Sequence, residues 1–499
     1  MFHSGFAQRN LRGRRLKTVI GGMLCVAAFA AVTFAGRPSA AGATACTGVD
    51  VAPSQDLVQA VSDRPENTTF CLQPGVYHIT TPVKPRSGDS LIGQAGTVID
   101  GSKPVAGWTH QGSVWVSAGQ TWGPTENMGG WGSIVMEYPQ ARFADDLFLD
   151  NQGLWKTGVK VNGKVFGSPA SAVGPGDYFI DYDANTVYLG SDPTGHQVDV
   201  TASLDGIAST ATNVTVSGIE VRKMAGSGIV SLGDGWIISG NDAWGNHVAG
   251  ITGNFGAQVL SNHSHHNGEY GINGRGDNIL VSGNEVDHND IAEFGSADGG
   301  CSGAGGSKWV NSTHLTVTDN YYHDNLCTGI WLDILNNYVV IRNNITERND
   351  GDGIRVEVSY NIRIRGNTSR DNTRGGIVVL NTPNVRIGYN TVSGNANEIT
   401  LGNTGRRDPL SALGSHELRN AYVHHNVVTL GADEVTGLRE AESPMQMAVF
   451  TSWGNRFVAN RYTIPSTSAR MFLWNGTRVN WTQWIGAGND ASGSAAIAS

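Results

Sequence analysis

Apolar and polar positions alternate along this chain in short runs that recur at a fixed spacing. The clearest case is Gly329-Ile-Trp-Leu-Asp-Ile-Leu335, followed by Gly353-Ile-Arg-Val-Glu-Val-Ser359 and Gly376-Ile-Val-Val-Leu-Asn-Thr382. Each run leads to a second apolar run and then to an Asn (Asn344, Asn367, Asn390), with a further Asn five residues on (Asn349, Asn372, Asn395). From about residue 206 the recurring slot is filled by Ile219, Asn241, Asn262, Asn284, Asn320, Asn344, Asn367, Asn390, Asn426 and Asn460. Most steps are 21 to 24 residues; three are 34 to 36. Such a period of short β-type runs and Asn/Gly turns marks a solenoid. The fixed leucine pattern of leucine-rich repeats is absent. The runs read as coils of a right-handed parallel β-helix, an all-β fold of about nine or ten such coils, with the stacked Asn tolerating left-handed backbone and forming an amide ladder. The long steps hold insertions at Ile291–Thr313, Asn397–Asn420 and Leu430–Thr451, which on a solenoid gather on one face.

The rest of the chain departs from that period in ways that set boundaries. Residues 1–45 read as a signal peptide: Arg9, Arg12, Arg14, Arg15 and Lys17 precede the apolar stretch Thr18–Gly36, with small residues at Ala41, Ala43 and Ala45. Arg14-Arg15 resembles a twin-arginine signal, though general secretion is preferred. Residues 46–105 form an N-terminal cap and first coils, with a capping helix over Ser54–Ser62. Residues 106–205 break the period and read as a β-rich insertion. Within it, Gly176–Leu189 forms a hairpin around Asp183-Ala-Asn185, and Trp108, Trp115, Trp122, Trp131 and Trp155 either pack its core or line a sugar cleft. Coils resume over 206–485, closing on Phe472–Trp474 and Trp481–Trp484. The Ala/Ser/Gly-rich tail 486–499 is expected to be flexible.

Charge and cysteines narrow the setting. The chain carries net −9, and residues 1–45 hold six Lys/Arg and no Asp or Glu, so their removal leaves −15. A chain so acidic is a poor general binder of nucleic acid or anionic membrane. The reading is therefore a secreted protein with a polysaccharide or oligosaccharide partner, no nucleic-acid partner, and no membrane association after signal removal. Cys25 falls in the signal, leaving Cys46, Cys71, Cys301 and Cys327. Two disulfides are expected, Cys46–Cys71 and Cys301–Cys327, because each pair is close in sequence.

The coil faces locate candidate chemistry. If Ile330, Leu332 and Ile334 point inward, then Trp331, Asp333 and Leu335 point out; in the next coil Arg355, Glu357 and Ser359 point out. Stacking in register puts Asp333 beneath Glu357 at a strand spacing of about 4.8 Å. Like charges at that distance raise one carboxyl, and an acid beside a base is what glycosidic cleavage requires. Counting back places Lys308 in the column of Trp331 and Arg355, with Asn273 and Arg275 one coil earlier and Asp352 at the adjacent turn. The candidate catalytic set is Asp333, Glu357, Lys308 and Arg355; the candidate substrate-binding set is Trp331, Asp352, Arg275 and Asn273. The alternative for these residues is a solvated charge ladder of ordinary surface pairs. A second column holds His265, Asp287, His323 and Glu347, which could bind a metal; alternating charges satisfying each other along a turn is preferred, and no resident metal is assigned.

The N-terminal run of a short helix, Pro74-Gly-Val-Tyr77 and Leu91-Ile-Gly-Gln-Ala-Gly-Thr-Val-Ile-Asp-Gly-Ser102, together with the coils of 206–485, resembles the pectin-lyase-like parallel β-helix proteins. The resemblance implies the fold and an N-terminal helix that covers the open end of the stack. It leaves function divided among glycoside hydrolases, polysaccharide lyases or uronan epimerases, and non-catalytic carbohydrate-binding or surface proteins. The hydrolase reading assigns Asp333 and Glu357 as acid and nucleophile or base, without a cofactor. The lyase reading assigns Lys308 or Arg355 as the base that removes the C5 proton, with carboxylates holding Ca²⁺.

Overall fold

The computed structural model describes residues 46–126, 142–294, 301, 303–406, 412–442 and 445–498; the signal segment and Trp131 lie outside them. Three long sheets wind along one axis, two of thirteen strands and one of twelve, and consecutive coils pair in parallel. The first sheet runs from Val49–Val51 to Arg456–Val458, the second from Gly75–His78 to Ser494–Ile497, and the third from Ile207–Ser209 to Phe472–Trp474 and Thr477–Val479. The stack is therefore longer than the clear sequence period, because the opening coils lack the ladder Asn.

Apolar residues at matching positions of successive coils point inward and stack. Ile238, Val259, Val281, Val317, Ile341, Ile364, Ile387 and Val423 stack along the first sheet, and Ile272, Ile330, Ile354, Ile377 and Ile399 along the third, all buried. β-Branched side chains suit this pleated, fully buried surface. The ends are closed: helix Leu57–Ser62 covers one, capped by Asp56 rather than by a residue at the Ser54 end, and helix Trp481–Gly486 buries Trp484 at the other. The tail expected to be flexible instead adds Ser494–Ile497 to the second sheet, because Asp490 is buried beneath it.

Two buried amide ladders run along the stack. In the first, each Asn from Asn241 to Asn460 donates from Nδ2 to the Oδ1 of the next, and that Oδ1 also accepts the preceding Asn backbone N–H. Asp490 ends it, taking both Asn460 donors on Oδ1 at 3.0 and 2.9 Å. The second runs from Asn246 to Asn395 and ends on Glu398, which accepts from Asn395 N at 3.0 Å and Nδ2 at 2.7 Å. The left-handed backbone expected of the ladder Asn lies one residue earlier. Ser261, Asp319, Asn343, Tyr389 and Ala459 have φ of 54 to 60°, and this turn aims the next side chain inward.

The chain leaves the stack after Gly101 and returns at Gly206. Between them, Ser102–Pro104, Leu147–Leu149, Gln152–Gly153 and Val198–Thr201 form a four-stranded sheet, and a second sheet has six strands. Trp108, Trp115 and Trp122 pack against the separate core of this insertion, whereas Trp155 is 46% exposed. The hairpin pairs Asp177–Asp181 with Thr186–Leu189. A buried cluster ties the insertion to the coils: Lys223 Nζ lies 2.8 Å from Asp199 and Arg222 Nε 2.8 Å from Asp100.

Cys46 and Cys71 form a disulfide. Cys301 and Cys327 do not: both are free thiols, in hydrogen-bond contact, with Cys301 Sγ directed at the Asp350 carbonyl, 3.1 Å away.

Candidate functional site

Strands Gly305–Thr313, Thr328–Leu332 and Ile354–Glu357 of the third sheet bring the candidate residues together. Their register places Asn273, Lys308, Trp331, Arg355 and Val378 in one column. Lys308 thus stands where backward counting expects it. The alternation stops sooner than expected. The strands end at Leu332 and Glu357, and the chain turns at once: Ile334, Leu335 and Val358 have φ of 52, 61 and 46°. Ile334 is therefore not an inward strand position, and Ser359 is buried rather than outward, its hydroxyl donating to Glu357 O at 2.7 Å. A β-branched residue with left-handed backbone is costly. Here two such residues follow the two carboxylates directly, whereas the equivalent turn in the next coil uses Asn381.

Asp333 and Glu357 are each 3% exposed. Lys308 Nζ lies 3.2 Å from Asp333 Oδ2, and Arg355 Nη2 pairs with Glu357 Oε1. Arg406, absent from the sequence reading, reaches both carboxylates: Nη2 lies 2.7 Å from Asp333 Oδ1, and Nη1 pairs with Glu357 Oε2. Its side chain is 41% exposed, so it is the solvent-facing member of the group. Repulsion between the stacked carboxylates is thus answered by a shared cation. Trp331 lies between cationic register partners on the coils before and after it, with Lys308 Nζ 4.0 Å and the Arg355 guanidinium carbon 5.5 Å from its ring. At 4% exposure it supports the charged groups and offers no open platform for a sugar.

Burial pushes Lys308 below the ordinary lysine value although Asp333 opposes this. Burial also works against the charge of Arg355, yet Glu357 and Asp352 hold its guanidinium above its ordinary value. The carboxyl that burial raises here is Glu269, also missed from sequence: it is pushed up to about 8, with Tyr270 and Lys308 opposing. Asp352 ties the turn, with Oδ2 2.8 Å from Arg355 Nη1 and Oδ1 accepting from Gly375 N at 2.8 Å. Asn273 accepts from Thr252 Oγ1 at 2.6 Å beside Lys308. Arg275 is exposed and pairs in register with Val310. Asp333, Glu357 and Asp352 thus face Lys308, Arg355 and Arg406. That balance lacks the surplus negative charge of a Ca²⁺ site, and these residues do not fit that ion.

The second column stacks in register, His265 on Asp287, Asp287 on His323 and His323 on Glu347, but the four side chains do not converge on one point. Glu347 is held by Tyr321, Arg348 and Arg370. His323 bonds Asp324 and Glu285. His265 and Asp287 stay within a compact histidine cluster, but each converges with other residues: His265 with Asp242 and His263, Asp287 with His266 and His288 or with His263 and Glu285.

Residues 300–408 match the family model for the right-handed β-helix region. No curated protein matches the chain. Among solved structures, the complex of XylC with xylose superposes with a TM-score of 0.57 at 14% identity, over 79% of this chain and 86% of that one. The A-module of the Azotobacter vinelandii mannuronan C-5 epimerase AlgE4 gives a TM-score of 0.42 at 16% identity, over 80% and 95%. The Dettilon tailspike protein gives 0.48 at 11%, over 90% and 68%. The chain has a right-handed parallel β-helix fold.

Proposed function

We propose that this chain is a secreted glycoside hydrolase of retaining type, acting on an oligosaccharide or polysaccharide through Asp333 and Glu357. The observation that supports the reading best is that two buried carboxylates on consecutive coils reach one guanidinium, that of Arg406. Groups sharing one fork belong to the short separation of a retaining pair, about 5 Å, rather than to the wider gap that admits a water. Asp333 is assigned as nucleophile because Lys308 stands against it; the cation at Glu357, Arg355, is shared with Asp352. Glu357 then protonates the departing glycosidic oxygen as Asp333 attacks the anomeric carbon. In the second half, Glu357 takes a proton from the water that releases the sugar. The sugar approaches from the side of Arg406 and takes over its contact with at least one carboxylate.

One observation favours a second reading, a polysaccharide lyase or uronan epimerase: burial holds Lys308 below the ordinary lysine value, as a base requires, and arginines stand by for a uronate carboxylate. The mismatch with Ca²⁺ counts against its metal-dependent form. Incubation with a glycan panel and mass analysis of products separates the readings. Product masses greater by one water support hydrolysis; unsaturated products support elimination; binding without turnover overturns both.

A further inference from the structure

The outer face of the second sheet carries a group that the hydrolase reading leaves unused. His263 and His265 lie two residues apart on strand His263–His265, so both point away from the core while Ser264 points in. Asp242, one coil earlier, is the register partner of His263. The three side chains therefore meet on one patch by strand geometry alone.

We propose that Asp242, His263 and His265 bind one divalent transition-metal ion of the zinc class. Their donor atoms lie within 4.8 Å of one another. Asp242 Oδ1 is 3.0 Å from His265 Nε2 and 3.6 Å from His263 Nδ1. Zinc held at 2.0–2.1 Å in tetrahedral geometry needs donors about 3.3 Å apart, and these distances bracket that value. The second observation lies behind the ligands. A metal-bound imidazole needs its other nitrogen fixed by a partner, and both histidines have one. His263 Nε2 is 2.7 Å from Asp287 Oδ1, and His265 Nδ1 is 2.8 Å from His266 Nδ1. Asp287 is anchored in turn by His288 Nδ1 at 2.6 Å. Trp244 stacks on the His265 ring and fixes its plane. Mixed imidazole and carboxylate donors select zinc or its neighbours over calcium or magnesium. The other convergent groups use Asp287, whose carboxylate is already committed to His263 and His288. Three protein donors leave a fourth position open. His265 also lines a cavity of about 520 Å³ with Trp155, Phe148 and Trp244, so the ion would stand at its edge, between insertion and coils.

The test uses the full mature chain without a histidine tag, stripped by chelator and titrated calorimetrically with zinc chloride. One ion per chain is expected, and cobalt loading is expected to give the intense visible bands of tetrahedral geometry. Asp242→Asn and His265→Ala are each expected to weaken binding more than tenfold, and Asp287→Asn, which touches no ion, about 10- to 100-fold. Asp333→Asn, at the other site, is expected to bind zinc unchanged, which separates this proposal from the hydrolase assignment. Asp242 is half-buried and Asn has nearly its size and shape, so the Asn variant keeps the fold; circular dichroism verifies this. Absence of saturable binding, or equal affinity in wild type and Asp242→Asn, overturns the proposal.

Discussion

Asp333 and Glu357 stand at the same position in consecutive coils and present their carboxylates to a single guanidinium, that of Arg406. Both are buried, so the cation is part of what lets them stack. Arg406→Ala leaves buried acceptors without that partner, at about 1–3 kcal/mol, and should lower the thermal midpoint. In an Asp333→Asn, Glu357→Gln background the same change should cost less. An equal loss in both backgrounds would show that Arg406 does not act through this pair.

The assigned roles separate by leaving group. Glu357→Gln should lower kcat by about 10²- to 10⁴-fold on a natural glycoside and far less on an activated aryl glycoside, whose leaving group needs no proton. Asp333→Asn should abolish turnover of both. Steady-state kinetics on matched substrates provides the check, and two variants that turn over normally would move the active site elsewhere.

Glu398 links stability to pH. Burial pushes it from 4.5 up to about 9, although Asn395 opposes this. Between those values the native chain keeps a proton that the unfolded chain has released, so the contribution is full below about 4.5 and is lost as pH rises through about 9. The stability difference between wild type and Glu398→Gln should therefore shrink by about 1.4 kcal/mol per pH unit across that window. Denaturant midpoints at several pH values measure it; a constant difference would mean Glu398 is ionised in the native state.

The ladder and its turn make opposite predictions for adjacent positions. Asn344→Ala strands the donors of Asn320 and the Val317 carbonyl, and should cost at least about 3 kcal/mol. Ala459, at φ 56°, occupies the left-handed position that Asn343 fills elsewhere, so Ala459→Asn should stabilise by about 1 kcal/mol. Urea unfolding of the two variants decides whether ladder and turn have these separate roles.

Thiol counting tests the cysteine arrangement. A chain lacking residues 1–45, denatured without reductant, should react with two equivalents of thiol reagent, from Cys301 and Cys327. Reduction should release two more from Cys46–Cys71, whose loop of 25 residues is worth about 3 kcal/mol. A first count of zero would mean that Cys301 and Cys327 are bonded.

By itself the sequence determined the coil. A period of 21 to 24 residues with inward Ile and Val fixes strand, turn and stacking, because each coil buries its apolar face only against the next. It also determined the column of Lys308, Trp331 and Arg355 and the stacking of Asp333 on Glu357, since register follows from that burial. Tertiary structure decided what lies over the column. Arg406 comes from an insertion 49 residues after Glu357, and no period places an inserted residue. The short strand ends are also tertiary: left-handed Ile334 and Val358 contradict local preference, and only stacking on neighbouring coils holds them there. The histidines sorted likewise. Spacing put His265 and Asp287 in one column, but side-chain reach between coils joined His265 to Asp242 and His263 instead. At Asp333 and Glu357, adjacency was therefore legible from the repeat, and the shared guanidinium was not, because it depends on a loop folding back across coils.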